Sequence, residues 1–509
     1  MLVAPMLLAA VLAGGYLIWA PPSTDLAAQV FRADLFSDHG FLVWSNDWYS
    51  GHYLPGYSLI SPPLAALLGP RLMGALACVG AAGLFAAIVS HAAGERSRFA
   101  AMWFAVGTAP VLLSGRMTFA LGVAVGLGAI LSLQRERTML APLLAVLATV
   151  TSPVAGLFVA LAGAASAIAG HRRLGLSTGI AALVALVAIG LAFPTSGTEP
   201  FVFVAFITVP VVALVAIWLL PAEEKALRWG FALYGLLAVL LFVVHTPVGG
   251  NVARLGALFA GPLFALALWP RHRLALLLVG IPLLWWQWVA GVLDVVDASG
   301  SPATERSFYE PLLSQLEKRT DGEPVRIEIP PTSNRWEAAY VAREFPLARG
   351  WLRQLESDDF DLFKNQNLTA ASYRQWLDDR AVSYVAVPDA DLDYLAEDEA
   401  ALVDAGLPYL RNVWTSDDWR LYAVRRPAPF TEPAGATLTD LGVDSFTLEA
   451  APGSYLVRVH YSRFWRVVQG DACIESDGDW TRVEVRSPGV VRVEAPFSLG
   501  GLFGQEDRC

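Results

Sequence analysis

The chain has 509 residues, 55% of them hydrophobic and only 16% charged, which is too apolar and charge-poor for an ordinary soluble protein of this length. Residues 1–300 carry 14 Lys/Arg and 11 Asp/Glu, a balance of +3, while residues 301–509 carry 22 and 35, a balance of −13, the two summing to the net −10. An apolar N-terminal body followed by an acidic, water-soluble one argues against nucleic acid as a partner, since nucleic acid requires a basic face.

A helix that crosses the hydrocarbon core of a bilayer needs about 20 largely apolar residues. The sequence predicts eleven candidates, at 2–20, 70–92, 99–114, 117–134, 139–151, 153–170, 175–194, 202–220, 229–246, 253–269 and 274–293. The first lacks a basic leading region, and Pro21-Pro22 follow it directly, so it reads as a retained span rather than a cleaved signal peptide. Alternate connections, "ERSR", "RERT", "HRR", "EEKALR" and "RHR", hold ten basic residues, whereas the opposite set holds only Arg116, with Arg254 just beyond its last member. Basic residues favour the cytoplasmic side. The pattern therefore predicts a cytoplasmic N-terminus, with the loop at 21–69 and the C-terminal half outside, in a bacterial cell membrane.

Residues 296–305, "DASGSPATER", read as a linker. Beyond it, "FYEPLLSQLEKR" and "TAASYRQWLDDR" have helical spacing, and Thr369 is placed to cap the second. "EPVRIEIP", "AVSYVAVP" and "WRLYAVRR" read as strands, giving a soluble α/β domain over 296–428. From 429 to 509 short alternating runs such as "GSYLVRVHY" and "WTRVEVRS" predict an antiparallel β-sandwich. Of three cysteines, Cys78 lies in an apolar run, while Cys473 and Cys509 fall in the soluble part, where an extracytoplasmic setting permits one disulfide. The chain contains no GxxxxGK loop, HExxH or CxxC pattern, so ATP-driven transport and zinc proteolysis have no support.

The polar residues of the N-terminal half gather at the predicted outer face. The first loop holds Asp25, Asp34, Asp38 and Asp47; Arg116, Asn251 and Arg254 stand at the outer ends of later spans. "TDLAAQVFRADLF", with apolar residues at 26, 30, 31 and 35, suits an amphipathic helix lying in the interface. Asp25 then sits in its first turn, where a carboxylate is stabilised by the helix dipole whatever else it does. The sharper reading makes Asp25 a general base, because a sugar hydroxyl needs a placed carboxylate to take its proton as a glycosidic bond forms. Arg254 and Arg116 are placed to match the charge of a leaving phosphate, although either also suits snorkelling to lipid headgroups. In "GFLVWSNDWYSGHYLPGY", Trp44, Trp48, Tyr49, Tyr53 and Tyr57 are interleaved with Asp47 and His52. Such rings suit either an interfacial belt or a sugar-binding wall, and Asp34, Asp47, His52, Trp44, Trp48 and Tyr57 are carried forward as pocket candidates.

This layout, a first span, then an outer loop opening on "STDLAAQ", then "GFLVW…DWYSGHYLPGYSLISPPLAALLG" leading into the second span, resembles the GT-C superfamily of polytopic glycosyltransferases. Actinobacterial wall-building members similarly end in an outward soluble domain. The resemblance covers residues 1–295, about 60% of the chain. It implies a donor sugar carried on polyprenyl phosphate, an acceptor glycan, lipid or protein of the cell envelope, inversion at the anomeric carbon, and Asp25 as the base. The acidic pair several branches display is absent here, Asp34 and Asp38 being a looser substitute, and the need for a divalent metal is left open. The expected architecture is thus an α-helical polytopic membrane protein of GT-C type followed by the α/β domain and β-sandwich. A transporter or flippase of lipid-linked precursors, and a non-catalytic envelope scaffold, are the readings from other classes.

Overall fold

The computed structural model of the protein describes residues 2–194, 197–269, 271–356, 362–363, 367–503 and 509. The first apolar run forms helix α1 (Val3–Trp19), which stops where Ala20 turns left-handed and donates its N–H to Tyr16 O at 2.7 Å. Pro21 and Pro22 follow and cannot continue the helix. The chain then bends by 80° into α2 (Thr24–His39). On α2 Leu26, Phe31 and Leu35 are buried as the predicted spacing requires, but Val30 is only half-buried, and the polar Gln29 and Arg32 are buried as well, so the helix is covered on more than its apolar face. Pro62 and Pro63 open α3 (Ser61–Leu68), which leads to α4 (Pro70–Ala93).

The remaining apolar runs form α5 (Arg98–Leu113), α6 (Met117–Gln134), α7 (Leu140–Thr151), α8 (Pro153–Ile168), α9 (Arg172–Ala192), α10 (Phe203–Leu219), α11 (Lys225–Val243), α12 (Ala253–Leu268) and α13 (Arg273–Ala298). Small residues let these helices approach closely. A Cβ on Gly163 of α8 would lie 2.8 Å from backbone atoms of Gly175 and Gly179 on α9, so only hydrogen fits at that crossing. Aromatic rings fill the wider spaces, with Phe85 and Phe104 stacked at 4.3 Å.

Each of the eleven predicted windows holds a helix, but they are not equivalent. Among the described residues six helical stretches are long and apolar enough to cross a membrane, counting the α4–α5 stretch Pro70–Leu113 once, or seven if bent α1–α2 is one span. Helices α7, α8 and α10 have 12, 16 and 17 residues. At about 1.5 Å per residue they reach only about 18–26 Å, short of a hydrocarbon core of about 30 Å.

The chain divides into two compact units, one formed by Met1–Ala33 with Gly56–Ser299, the other by Asp34–Pro55 with Gly300–Cys509. The last of the three boundaries, Ser299–Gly300, lies within residues 296–305. The first does not follow the expected organisation: it cuts α2, and residues 34–55 of the first loop cluster with the C-terminal half.

In that second unit helix α14 (Arg306–Thr320) buries Phe308, Tyr309, Leu312, Leu313 and Leu316 on one face. A four-stranded mixed sheet has the order β3 (Arg326–Glu328), β4 (Val382–Pro388), β6 (Trp419–Val424), β5 (Leu410–Thr415), with β3 parallel to β4 and the other pairs antiparallel. The helix Ala370–Asp379 is capped by Thr369, which accepts from Ser372 N. The last part forms two antiparallel four-stranded sheets. One runs β12 (Ala472–Asp477), β13 (Trp480–Val485), β10 (Gly453–His460), β7 (Thr431–Glu432); the other runs β11 (Arg466–Gln469), β14 (Gly489–Glu494), β9 (Ser445–Ala450), β8 (Ala436–Gly442). Buried residues alternate along them, as at Tyr455, Val457 and Val459, the two-residue period of a sheet with one covered face. Cys473 and Cys509 are joined in a disulfide.

Residues 34–55 are integral to this unit. They form the hairpin β1 (Trp44–Ser45) and β2 (His52–Tyr53). Asn46 N donates to Val443 O at 2.6 Å, Leu347 N to Asp47 O at 2.8 Å and His460 N to Ser50 O at 2.8 Å.

Candidate active site

The first turn of α2 is set against the turn that joins α5 to α6. Gly115, with φ at +74°, makes that turn, and a Cβ there would lie 2.5 Å from both Leu26 N and Ser23 Oγ. The tight turn therefore requires glycine, and it delivers the next side chain, Arg116, to Asp25. Arg116 Nε donates to Asp25 Oδ2 at 3.2 Å, and Arg254 Nη2 lies 3.7 Å from the same oxygen. The three side chains are 20–26% exposed.

Arg254 comes from the first turn of α12. Tyr234 OH fixes that turn, donating to Val252 O and accepting from Gly256 N, both at 3.0 Å. The guanidinium also lies 5.8 Å from the centre of the Phe119 ring and within electrostatic range of Tyr57 and Glu199. Asn251 sits three residues earlier, in the 3-10 turn Gly249–Val252 that leads into α12.

One turn along α2, Gln29 is locked from both ends of its amide. Its Nε2 donates to Tyr57 OH at 2.7 Å, and Thr118 Oγ1 donates to its Oε1 at 2.6 Å. Ser61 and Thr118 hydroxyls meet at 2.6 Å, and the Arg32 guanidinium lies 3.9 Å over the Tyr57 ring. Buried polar groups satisfied in this way hold α2 at a single register against α3 and α6, which fixes the direction of the Asp25 carboxylate.

The connections that carry few basic residues lie together. Asp25 joins 114–116 to the start of α12, Glu199 N donates to Thr246 O at 3.0 Å, and Leu59 N donates to Val150 O at 2.9 Å. From the basic set, Phe99 and Trp269 rings stand 5.2 Å apart, with Arg273 over Trp269 at 4.5 Å.

Asp25, Arg116 and Arg254 are brought to one point, with Asn251 in the adjoining turn and Tyr57 in the adjoining network. The other sequence candidates find their partners in the second unit. Asp34 and Asp38 both accept from Arg343, at 2.8 Å each. Trp44 donates through Nε1 to Asn46 Oδ1 at 2.8 Å and packs edge-on to Tyr53 and Trp465. Trp48, fully buried, donates to Ala338 O at 3.0 Å, and His52 stacks on it at 5.3 Å. These rings are core residues with no face open to a sugar. Asp47 is 6% exposed; burial pushes its carboxyl up to about 7, with Asp444 adding repulsion and Ser45 partly relieving it.

Sequence reasoning passed over Asp294. It stands near the end of α13, half-buried, within hydrogen-bonding reach of Ser114 and in the fields of Arg116 and Asp25. Its signal was a carboxylate at the end of a span at the same level as Arg116 and Arg254, where two cations call for more than one counter-charge. Compared with known proteins, the chain matches no family model and no curated protein.

Proposed function

We propose that the protein is a multi-span membrane glycosyltransferase that takes a sugar from a polyprenyl-phosphate donor and passes it to a cell-envelope acceptor at the outer face of a bacterial cell membrane. The observation that carries this reading is the shared approach of Arg116 and Arg254 to Asp25 Oδ2, at 3.2 and 3.7 Å, beside an end of the apolar helices. A carboxylate and two guanidinium groups are what the reaction needs. The guanidiniums hold the donor's phosphodiester and take up the extra charge as its bond to the sugar breaks. Asp25 removes the proton of the acceptor hydroxyl as its oxygen attacks the anomeric carbon from the opposite side. The new glycosidic bond forms, polyprenyl phosphate leaves with the bonding electron pair, and the anomeric configuration inverts. The Cys473–Cys509 disulfide supports an extracytoplasmic C-terminal unit, because such bonds persist in oxidising compartments.

The test is transfer by membranes containing the protein, supplied with radiolabelled polyprenyl-phosphoryl sugars. Label is expected in an envelope fraction with the wild type and is lost with Asp25→Asn, which keeps the shape of the side chain and removes its proton-accepting charge. Absence of transfer with every donor, together with carrier-lipid movement across sealed vesicles, would replace the enzyme with a flippase.

A further inference from the structure

The arrangement of the three charged side chains implies a competition. Resting on the glycosyltransferase reading, we infer that Asp25 occupies the phosphate seat of the unliganded protein, and that donor phosphate must displace it from Arg116 and Arg254 before it can act as a base.

Three features of the cluster carry this. Both guanidiniums converge on one oxygen, Oδ2, and neither makes the two-pronged pair that an arginine prefers with a carboxylate. A phosphodiester has two free oxygens and can engage both cations at once. The backbones that carry the cations are fixed independently of Asp25, that of Arg116 by the Gly115 turn and that of Arg254 by the Tyr234-fixed start of α12, and the Arg254 guanidinium also lies against the Phe119 ring, so both arginines stay beside the seat when the carboxylate leaves. All three groups are part-exposed, so exchange needs no unfolding. The consequence is order. Without donor the carboxylate is held by two cations and unable to activate water or an acceptor; with donor seated, the phosphate neutralises those cations and Asp25 turns free.

The experiment measures binding of a short polyprenyl monophosphate, farnesyl phosphate, to purified protein in detergent, with farnesol as the control for the chain alone. Asp25→Asn removes the competing charge, and its affinity is expected to rise about tenfold over the wild type, about 1.4 kcal/mol. Arg116→Ala and Arg254→Ala are expected to weaken binding of farnesyl phosphate and leave farnesol unchanged. Equal or weaker binding by Asp25→Asn overturns the displacement, and so does failure of both proteins to distinguish farnesyl phosphate from farnesol. Transfer by wild-type membranes, measured in parallel, separates the two claims: transfer without the affinity gain refutes the displacement alone, and loss of both refutes the enzyme as well.

Discussion

Asp47 offers a direct reading of how the first loop is used. Its carboxylate is 6% exposed with Ser45 as its helper and Asp444 as its electrostatic opponent, and burial pushes it up to about 7. An unfolded aspartate titrates near about 3.9. Below about pH 4 both states are protonated and the residue costs folding nothing. Between about pH 4 and 7 the unfolded chain loses the proton and the folded chain keeps it, so stability falls at about 1.36 kcal/mol per pH unit. The loss totals about 4 kcal/mol by pH 7 and then levels off. Asp47→Asn imitates the neutral form at every pH. The variant is expected to match the wild type near pH 4 and to exceed it at pH 8 by up to about 4 kcal/mol, about 10 °C in melting temperature for a unit of this size. Thermal unfolding in detergent, followed by tryptophan fluorescence at several pH values, gives the difference directly. Glu337, also pushed up to about 7 by burial, titrates in the same direction in both proteins and cancels. A difference that stays constant with pH would show that Asp47 meets water, and would refute the placement of residues 34–55 in the core.

Two further predictions concern the same unit. Trp48→Ala should destabilise it by about 3–5 kcal/mol, seen as a lower melting temperature; a variant that melts normally but loses transfer would instead put the ring against a ligand. His460 is half-buried, its Nδ1 3.2 Å from Gly51 O, and desolvation with Arg380 and Arg326 nearby holds its imidazole down at about 4. Between about pH 6.5 and 4 the unfolded chain gains a proton that the folded one refuses, so this residue's contribution to stability falls with acidification by about 3 kcal/mol, against the opposite trends of Asp47 and Glu337. His460→Gln should remove that slope in the same thermal assay.

The helical unit was legible because composition alone reveals apolar helices. Arg116 and Arg254 stood out as the basic residues in and just past the charge-poor set, and the fold brings both to Asp25. The strands of the C-terminal half were legible where alternation was clean, as in β10 and β13, whereas β5, β8, β11 and β12 carry polar or irregular runs that hide the period. The role of residues 34–55 was not legible. Aromatic residues interleaved with Gly and Asp suit a sugar-binding wall and a hairpin core equally, and the partners that decide between them, such as Gly442 for Asn46, lie 396 residues away. Local pattern carries no information about a contact so distant.

The chain passes between its two units at Ala33–Asp34, Pro55–Gly56 and Ser299–Gly300, and that division makes a final prediction about how the C-terminal half folds. A fragment of residues 300–509 looks like a natural soluble domain from sequence, yet it lacks the hairpin. It would lose Trp44 and Trp48, which are 2% and 0% exposed; at about 3–5 kcal/mol each, these two rings alone approach the whole stability of a typical domain. It would also leave Val443 O, Leu347 N and His460 N without the backbone partners they have in the chain, a further cost for each buried group. The fragment is therefore expected to show strand signal in far-UV circular dichroism without ordered near-UV bands or a cooperative melt. Addition of a peptide spanning residues 34–55 is expected to restore both, with a melting temperature that rises with peptide concentration as mass action requires. A sharp melt of the fragment alone, unchanged by the peptide, would mean that the first loop merely lies against a finished domain rather than completing its core.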